Sequence, residues 1–211
     1  MLHEHVNSSA SPPNLPPLLR KRKLIEKLPL SLDQVDLEIG TRPEDMQEIR
    51  ELHAECFPIN YDESFFRTVE ANEVISIQAK FENRLLGVLV YRTGSPKSLP
   101  SGEDVADYAD EVAYLMTLGV AEEFRGKGLS SLLLKRAMSL QSDMDGVYLH
   151  VADYNKKAID IYMYHGFRQV AIKDDFYKIK DQYYGAITLF KSFRPPKRRS
   201  LLDRFKLWWA T

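Results

Sequence analysis

The sequence has little cysteine and no long apolar run, and each shortage excludes a class of protein. Cys56 is the only cysteine among 211 residues, so no intramolecular disulfide can form and we expect a reducing compartment. No apolar run approaches the ~20 residues of a membrane span. No charged-then-apolar leader ends in a small-residue cleavage site. The sequence therefore predicts a protein that neither crosses a membrane nor is secreted.

The composition indicates one folded domain with an extension at each end. Hydrophobic residues make up 44% of the chain and aromatic residues 11%, and the net charge is −1, which excludes disorder throughout. The length suits a single domain with a sizeable core, which we expect at residues 34–192. Residues 1–33 predict a disordered arm rich in proline and basic residues, and residues 193–211 form a basic tail.

Charge is unevenly distributed along the chain. Residues 191–211 carry seven Lys and Arg against one Asp, a net charge of +6, which leaves −7 on residues 1–190. An acidic body argues against nucleic-acid binding across the fold. A basic tail predicts an anionic surface as its partner.

Hydrophobic periodicity predicts seven strands and about four helices in a mixed α+β fold, in the order β-α-α-β-β-β-α-β-α-β-β. The near-continuous apolar run Glu111–Val120 indicates a central strand buried on both faces. The acidic segment 94–110 leaves two interpretations open, a solvated loop or a flap over a site. The predicted strands are Val35–Ile39, Val74–Lys80, Leu85–Arg92, Glu111–Val120, Gly146–Ala152, Arg168–Tyr177 and Tyr184–Phe190, and the predicted helices are 41–56, 63–69, 131–140 and 155–164.

The junction between the central strand and the next helix has the composition of an anion site. Gly126 and Gly128 allow a sharp turn and close approach of a ligand to the backbone. The helix that follows directs free N–H groups at the same place, which suits a pyrophosphate. The spacing fits neither a P-loop nor a Gly-x-Gly-x-x-Gly turn. A plain glycine turn into a helix remains the alternative.

Three further groups of residues are candidates for chemistry, and each has an ordinary structural interpretation. Tyr114 and His150 lie on strands that, if they are neighbours, bring both side chains to one cleft. Asn155 and Tyr162 are seven residues apart on one helix face, although Asn155 also suits an N-cap. The loop 57–61 is aromatic and fixed by proline, as in a wall for an apolar ligand.

Taken together, these segments resemble a known family. Leu118-Gly119-Val120 followed by Arg125-Gly126-Lys127-Gly128-Leu129-Ser130 resembles the Arg/Gln-x-x-Gly-x-Gly/Ala acetyl-CoA signature of the GNAT acetyltransferases, with Ser130 where Gly or Ala is usual. Over about residues 35–190 the chain resembles protein Nα-acetyltransferases, first the membrane-associated NatF type and next the NatE catalytic subunit. The segments that carry this narrower resemblance are Cys56-Phe57-Pro58-Ile59-x-Tyr61, Ala113 to Val120, Tyr148-Leu149-His150-Val151 and Asn155-x-x-Ala158-Ile159-x-x-Tyr162.

The resemblance implies a GNAT fold, acetyl-CoA as co-substrate without a metal, and a free protein N-terminus as acceptor. It implies Tyr114 and His150 as the general-base pair and Tyr162 as the group that assists the leaving thiolate. The implied cofactor-binding residues are Leu118, Gly119, Val120, Arg125, Gly126, Lys127, Gly128, Leu129, Ser130, Ser131, Asn155 and Tyr162. The implied substrate-binding residues are Phe57, Pro58, Ile59, Tyr61, Met116, Phe176 and Tyr177.

The acceptor is expected to be an α-amine. Deprotonation at neutral pH costs about 1 kcal/mol for a peptide α-amine and about 4 kcal/mol for lysine, which suits a Tyr/His base. An apolar wall without an acidic residue predicts substrates that begin with Met followed by a hydrophobic or amphipathic residue. Three alternatives stay open: a NatE-like ribosome-associated enzyme, a lysine or histone acetyltransferase, and a non-enzymatic acetyl-CoA-binding module.

The tail predicts a short amphipathic helix. Its apolar residues fall on one helical stripe flanked by basic residues, a pattern typical of peripheral binding to an anionic membrane. A helix that docks on the domain or on a partner is the alternative. The NatF resemblance favours the cytosolic side of an intracellular membrane, the Golgi first and the plasma membrane second, and a monomer or weak homodimer. The residues of the stripe are Leu201, Leu202, Phe205, Trp208 and Trp209.

Overall fold

The structure, a computed structural model, describes residues 31–194, and the predicted arm up to residue 30 and the tail from residue 195 lie outside the described residues. Within this range the elements follow the predicted order. The strands are β1 (Asp36–Ile39), β2 (Ile75–Phe81), β3 (Arg84–Gly94), β4 (Val112–Val120), β5 (Gly146–Ala152), β6 (Arg168–Ile179) and β7 (Gln182–Ser192), and the helices are α1 (Met46–Cys56), α2 (Glu63–Glu70), α3 (Leu129–Leu140) and α4 (Lys156–Tyr164).

All seven strands form one sheet in the order β1-β2-β3-β4-β5-β7-β6. β4 and β5 run parallel, and the other neighbouring pairs are antiparallel. The long connection required between parallel strands is supplied by α3, as in other βαβ units. The predicted mixed α+β fold and the central position of β4 are confirmed.

β4 and β5 pair over only half of their length. Val112 to Leu115 lie opposite Gly146 to Leu149, and no pairing continues beyond. On the other edge of β4, Leu115 and Thr117 face consecutive residues of β3, which leaves Met116 as a bulge. A bulge bends its strand and increases the local twist. The carboxyl halves of the two strands therefore separate and leave a cleft in the middle of the sheet.

The helices are held to the sheet by the apolar stripes that the sequence predicts. α1 packs on β3 and β4 with Met46, Ile49 and Leu52 buried. α3 packs on β2, β3 and β4, and it begins at Leu129, two residues earlier than predicted. Leu129 and Ser130 of the glycine motif thus belong to the first helical turn, next to the unpaired N–H groups of the helix end.

The segment 94–110 packs against the core and is not a freely solvated loop. It contains two short 3₁₀ turns, Pro96–Ser98 and Gly102–Asp104. Its apolar residues are buried with side chains of β4, β5 and β7, which fixes the acidic residues of the segment close to the sheet. The buried cluster consists of Leu99, Val105, Ala109, Val112, Tyr148 and Phe190.

Candidate active site

A cleft of about 140 Å³ lies where β4 and β5 separate. The two strands supply its centre, the loop 57–61 one wall, and α4 with the end of β6 the others. The predicted residues at the cleft are Phe57, Pro58, Ile59, Tyr61, Met116, Leu118, His150, Asn155, Tyr162 and Tyr177.

The structure brings Tyr114 and His150 together. Tyr114 lies opposite Tyr148 in the β4–β5 register, so His150 is its diagonal neighbour on the same face. The Tyr114 hydroxyl is 3.3 Å from His150 Nδ1, and the two ring centroids are 5.5 Å apart. His150 lines the cleft, while Tyr114 interacts electrostatically with the cleft residues Tyr61 and Tyr177.

Burial keeps both members of this pair neutral. It raises the pKa of Tyr114 to about 12 and lowers the pKa of His150 to about 4, in spite of the nearby Asp104 carboxylate. The tyrosine hydroxyl therefore donates its hydrogen bond, and Nδ1 of the neutral imidazole accepts it. The imidazole proton is then on Nε2.

A residue that the sequence interpretation missed faces that proton. Asp104 Oδ2 is 3.9 Å from His150 Nε2, and this buried nitrogen has no hydrogen-bond partner within residues 31–194. Thr188 donates to Asp104 Oδ2 at 2.7 Å, and Lys173 pairs with Oδ1 at 3.1 Å. The acidic cluster in 94–110 was visible in the sequence, but its proximity to His150 depends on tertiary packing.

Phe176 lies against the imidazole of His150. It is absent from the described residues that line the cleft, and its ring stacks on His150 with centroids 4.6 Å apart and planes at 22°. A bulge in β6 between Lys173 and Tyr177, where Asp175 has a φ of +52°, places the Phe176 ring against His150. Phe176 therefore supports the imidazole, and its place in the substrate wall stays a prediction.

Three tyrosines that line the cleft keep their hydroxyl protons at neutral pH. Burial raises the pKa of Tyr61, Tyr162 and Tyr177, and the three groups also interact with one another. Tyr177 donates to the carbonyl of His150 at 3.1 Å. Tyr162 is buried on α4 and faces the cleft. Each of these hydroxyls is a hydrogen-bond donor at neutral pH.

The glycine turn before α3 adopts the geometry that the sequence predicts. Gly126 has a φ of +74° and Gly128 a φ of +85°, values that favour glycine. A Cβ at Gly126 would meet no atom within 4 Å, so the backbone there is open to a ligand. The N-terminus of α3 follows directly, and its N–H groups and dipole suit a pyrophosphate.

The two basic residues of the turn have contacts of their own. Arg125 donates from Nε to the Val120 carbonyl at 3.0 Å and approaches Cys56 Sγ at 3.7 Å. Lys127 Nζ lies 5.1 Å from the Phe124 ring centroid. Both side chains remain exposed, so their positive charge still acts on the open turn.

Two other predicted cofactor residues are engaged in hydrogen bonds within the protein. The Ser131 hydroxyl is 2.9 Å from Nε2 of His165, which links the start of α3 to the end of α4. Asn155 accepts from the Ala158 N–H at 3.2 Å and caps α4. Asn155 also lines the cleft, so its cap function and a ligand-binding function are compatible.

The backbone of β4 places an N–H donor at the open edge of the strand. Ala121 donates to Leu86 on the β3 side at 2.9 Å. Because N–H directions alternate along a strand, the N–H of Val120 points to the opposite edge, where β5 has separated. Val120 is one of the residues that the resemblance implies for cofactor binding, and this N–H is open to a ligand in the cleft.

Residues 31–194 contain neither a cluster of metal ligands nor a helix that could span a membrane. No group of three or more His, Cys, Asp or Glu side chains in residues 31–194 is arranged to hold a metal ion. No helix in the same range has the length and apolar composition required to span a bilayer.

The profile of the Acetyltransferase (GNAT) family matches residues 46–167, more than half of the chain. The chain belongs to the GNAT acetyltransferase family. N-alpha-acetyltransferase 60 of Xenopus tropicalis is 31% identical to this GNAT chain over 156 residues, which are 69% of the chain and 64% of the relative. A histone acetyltransferase of Arabidopsis thaliana, MCC1, is 28% identical over 159 residues, or 68% of the chain and 64% of that relative.

A solved GNAT structure has the same fold. Arabidopsis thaliana NAA60 in complex with acetyl-CoA superimposes with a TM-score of 0.68 and 25% identity, covering 75% of this chain and 98% of that one. The chain spans about three-fifths of the length of the N-alpha-acetyltransferase 60 relatives. The expected resemblance to GNAT Nα-acetyltransferases is thereby confirmed at the level of family and fold.

Proposed function

We propose that this chain transfers the acetyl group of acetyl-CoA to the free α-amine of protein N-termini. The observation that carries the proposal is the neutral Tyr114–His150 pair, hydrogen-bonded at 3.3 Å beside the cleft between β4 and β5. The names of two similar proteins support it, an N-alpha-acetyltransferase 60 and a NAA60 solved with acetyl-CoA.

The proton of the attacking amine leaves through the Tyr114–His150 pair. Since the pKa of Tyr114 is raised to about 12, its phenolate is scarce at neutral pH. The Tyr114 oxygen therefore accepts the amine proton as its own proton moves to His150 Nδ1. The imidazolium that forms is stabilised by the Asp104 carboxylate, 3.9 Å from Nε2.

The remaining hydrogen-bond donors act on the carbonyl oxygen of the acetyl group and on the sulfur of the leaving thiol. As the amine nitrogen bonds to the thioester carbon, the N–H of Val120 stabilises the negative charge on the carbonyl oxygen. The C–S bond then breaks, its electron pair stays on sulfur, and the Tyr162 hydroxyl, which burial keeps protonated, stabilises the leaving thiolate by donating a hydrogen bond to it. The open turn at Gly126 and the N-terminus of α3 hold the pyrophosphate.

The wall of the cleft favours apolar first and second residues of the substrate. Among the described residues that line it, none is Asp or Glu. A basic side chain entering there would find no counter-charge, although the aliphatic stem of a lysine fits such a surface. Met followed by Leu, Ile, Phe or Lys is the N-terminus that this lining fits best.

The tail supplies the proposed location. Residues 191–211 carry a net charge of +6 and end in a stripe with two tryptophans. Such a segment binds the headgroup region of an anionic membrane. We place the enzyme on the cytosolic side of an intracellular membrane, the Golgi first, where it meets N-termini of membrane proteins.

Lysine acetylation is the second candidate. The observation that favours it is the likeness to a protein named a histone acetyltransferase, at 28% identity. A lysine amine costs about 3 kcal/mol more to deprotonate at neutral pH than an α-amine. The structure provides no carboxylate among the cleft-lining described residues to act as a stronger base.

The proposed function is tested by CoA release from acetyl-CoA with a Met-Leu peptide, its pre-acetylated form and an N-blocked lysine peptide. We expect turnover with the free α-amine alone. Tyr114→Phe and His150→Gln should each lower kcat by about 100-fold or more. Tyr164→Phe, at a residue that is 85% exposed on α4, is the matched control and should keep the wild-type rate. Turnover with the lysine peptide alone, or with none of them, would contradict the proposal.

A further inference from the structure

His53 is a buried titratable residue that the proposed chemistry does not use. It lies on α1 with 1% of its surface exposed. We propose that His53 is a positioning residue for the acceptor peptide, one that fixes the wall of the cleft against β4. The inference rests on the proposed function, because it assigns a role in holding the peptide substrate.

Both ring nitrogens of His53 have partners. Nδ1 is 2.8 Å from the Ile49 carbonyl, and Nε2 is 3.2 Å from the Thr117 hydroxyl. A carbonyl can only accept, so the ring proton is on Nδ1, and Nε2 accepts from Thr117. Burial lowers the pKa of His53 and holds the ring in this neutral form.

Four aromatic rings surround the imidazole. Phe57 and Tyr61, which line the cleft, have centroids 5.4 and 5.3 Å from that of His53. Phe65 and Phe66 of α2 lie at 5.3 and 5.6 Å. His53 is buried and is absent from the described residues that line the cleft, so it contacts Phe57 and Tyr61 from the side away from the cleft and fixes the position of their rings.

The bond to Thr117 connects this aromatic cluster to the sheet. Thr117 follows the bulge residue Met116, and both line the cleft where β4 separates from β5. An apolar side chain at position 53 would fill the same space, but it would not fix the separation between wall and strand. Burying an imidazole among aromatic rings is costly unless both nitrogens are bonded, so a directional function accounts for its presence better than packing does.

This arrangement separates two properties of the enzyme. The described contacts of His53 are with α1, the wall, α2 and Thr117, and none is with the turn 125–131. A change at His53 should therefore alter the fit of the peptide while acetyl-CoA binding is kept.

The test is a double-mutant cycle on the full chain with His53→Leu, Thr117→Val and both together, assayed with the Met-Leu peptide. Loss of one buried hydrogen bond predicts a peptide KM about fivefold higher in each single variant. The double variant should be no worse than the single ones, because both lose the same bond. The KM for acetyl-CoA and kcat should stay within twofold of wild type. His53→Gln, which retains an acceptor for Thr117, should recover most of the peptide KM.

Ile49→Val is the matched control, since it removes one buried methyl group from the same helix without touching the His53 bonds. It should lower the thermal midpoint and leave the peptide KM unchanged. An unchanged peptide KM in His53→Leu, or equal rises in both KM values, would overturn the inference. If His53→Leu does not fold, Thr117→Val alone decides, and a wild-type peptide KM there overturns it equally. A wild type that releases no CoA with any peptide contradicts the proposed function itself, and this inference with it.

Discussion

At the scale of the residue, the proposed chemistry depends on burial more than on residue type. A tyrosine with a pKa near 10 and a histidine near 6.5 are ordinary in proteins. Here burial raises the pKa of Tyr114 to about 12 and lowers that of His150 to about 4. The pair is therefore neutral over the whole physiological range, and the Tyr114 hydroxyl donates to the lone pair of His150 Nδ1. In this state the pair can accept the proton of the attacking amine without first releasing a proton of its own.

The lowered pKa of His150 predicts an unusual pH profile. A peptide α-amine titrates near pH 8, so log(kcat/KM) should rise with a slope of about one between pH 5 and 7. Because His150 stays unprotonated down to about pH 4, it should add no second slope in this interval. The measurement is kcat/KM for the Met-Leu peptide at subsaturating concentration. A slope of two below pH 6.5 would show that His150 titrates normally.

Asp104 should matter for the rate and not for peptide binding. Asp104→Asn keeps the shape of the side chain but removes the negative charge 3.9 Å from His150 Nε2, so the imidazolium formed in the reaction is less stabilised. We expect kcat to fall about tenfold, with the peptide KM within twofold of wild type. Glu103→Gln is the control, since this 71%-exposed neighbour pairs with the same Lys173. Equal effects of the two variants would refute a specific function for Asp104.

At the scale of the element, the sequence pattern predicts the regular structure well. The alternating and continuous apolar runs place all seven strands, and the central position of β4 follows from its apolar composition. Helices and strands have regular hydrogen bonding and side-chain periodicity, so the local pattern of one amino-acid sequence is enough to predict them.

The sequence does not predict the irregular features that build the site. The bulge at Met116 and the one that carries Phe176 arise from strand register, which depends on both partner strands. The approach of Asp104 to His150 joins residues 46 positions apart through the packing of the segment 94–110. In the sequence, His53 is one residue of an amphipathic helix, and its hydrogen bond to Thr117 depends on the tertiary fold.

The turn before α3 gives a prediction for this element. Gly128→Ala forces an alanine to a φ of +85° and places its Cβ 3.2 Å from Leu32 Cδ1. The free energy of unfolding should fall by about 1–2 kcal/mol, and the KM for acetyl-CoA should rise as the turn shifts. Urea unfolding and steady-state kinetics measure the two effects. Ser139→Ala, at an exposed position near the other end of α3 where alanine is well tolerated, should leave both within error. A Gly128→Ala enzyme with wild-type values would contradict the turn's function.

At the scale of the whole molecule, catalysis and location are assigned to separate parts of the chain. The proposed catalytic and substrate residues lie between Phe57 and Tyr177, whereas the apolar stripe and the basic residues that flank it lie beyond residue 195. The body carries −7 and residues 191–211 carry +6. An anionic membrane attracts the positive residues 191–211 and repels the negative body, which favours binding through the tail alone.

Removal of residues 195–211 should therefore abolish membrane binding without affecting catalysis. We expect the truncated chain to lose sedimentation with vesicles that contain phosphatidylserine, and to keep the wild-type kcat on a soluble Met-Leu peptide. Binding of the full chain should weaken as salt rises from 0.1 to ~0.5 M, because screening shortens the range of the attraction. Vesicles of neutral lipid are the control. Equal sedimentation of the two chains would contradict the function proposed for the tail.

The proposed acetyl acceptor is an α-amine, and a competition between an α-amine and a lysine amine in one peptide tests this directly. A Met-Leu peptide with one internal lysine is incubated with acetyl-CoA, and fragmentation mass spectrometry locates the acetyl group. We expect a single acetyl on the N-terminal nitrogen and an unmodified lysine, and the Tyr114→Phe enzyme should form this product at least about 100-fold more slowly. Acetyl on the lysine with a free N-terminus would contradict it.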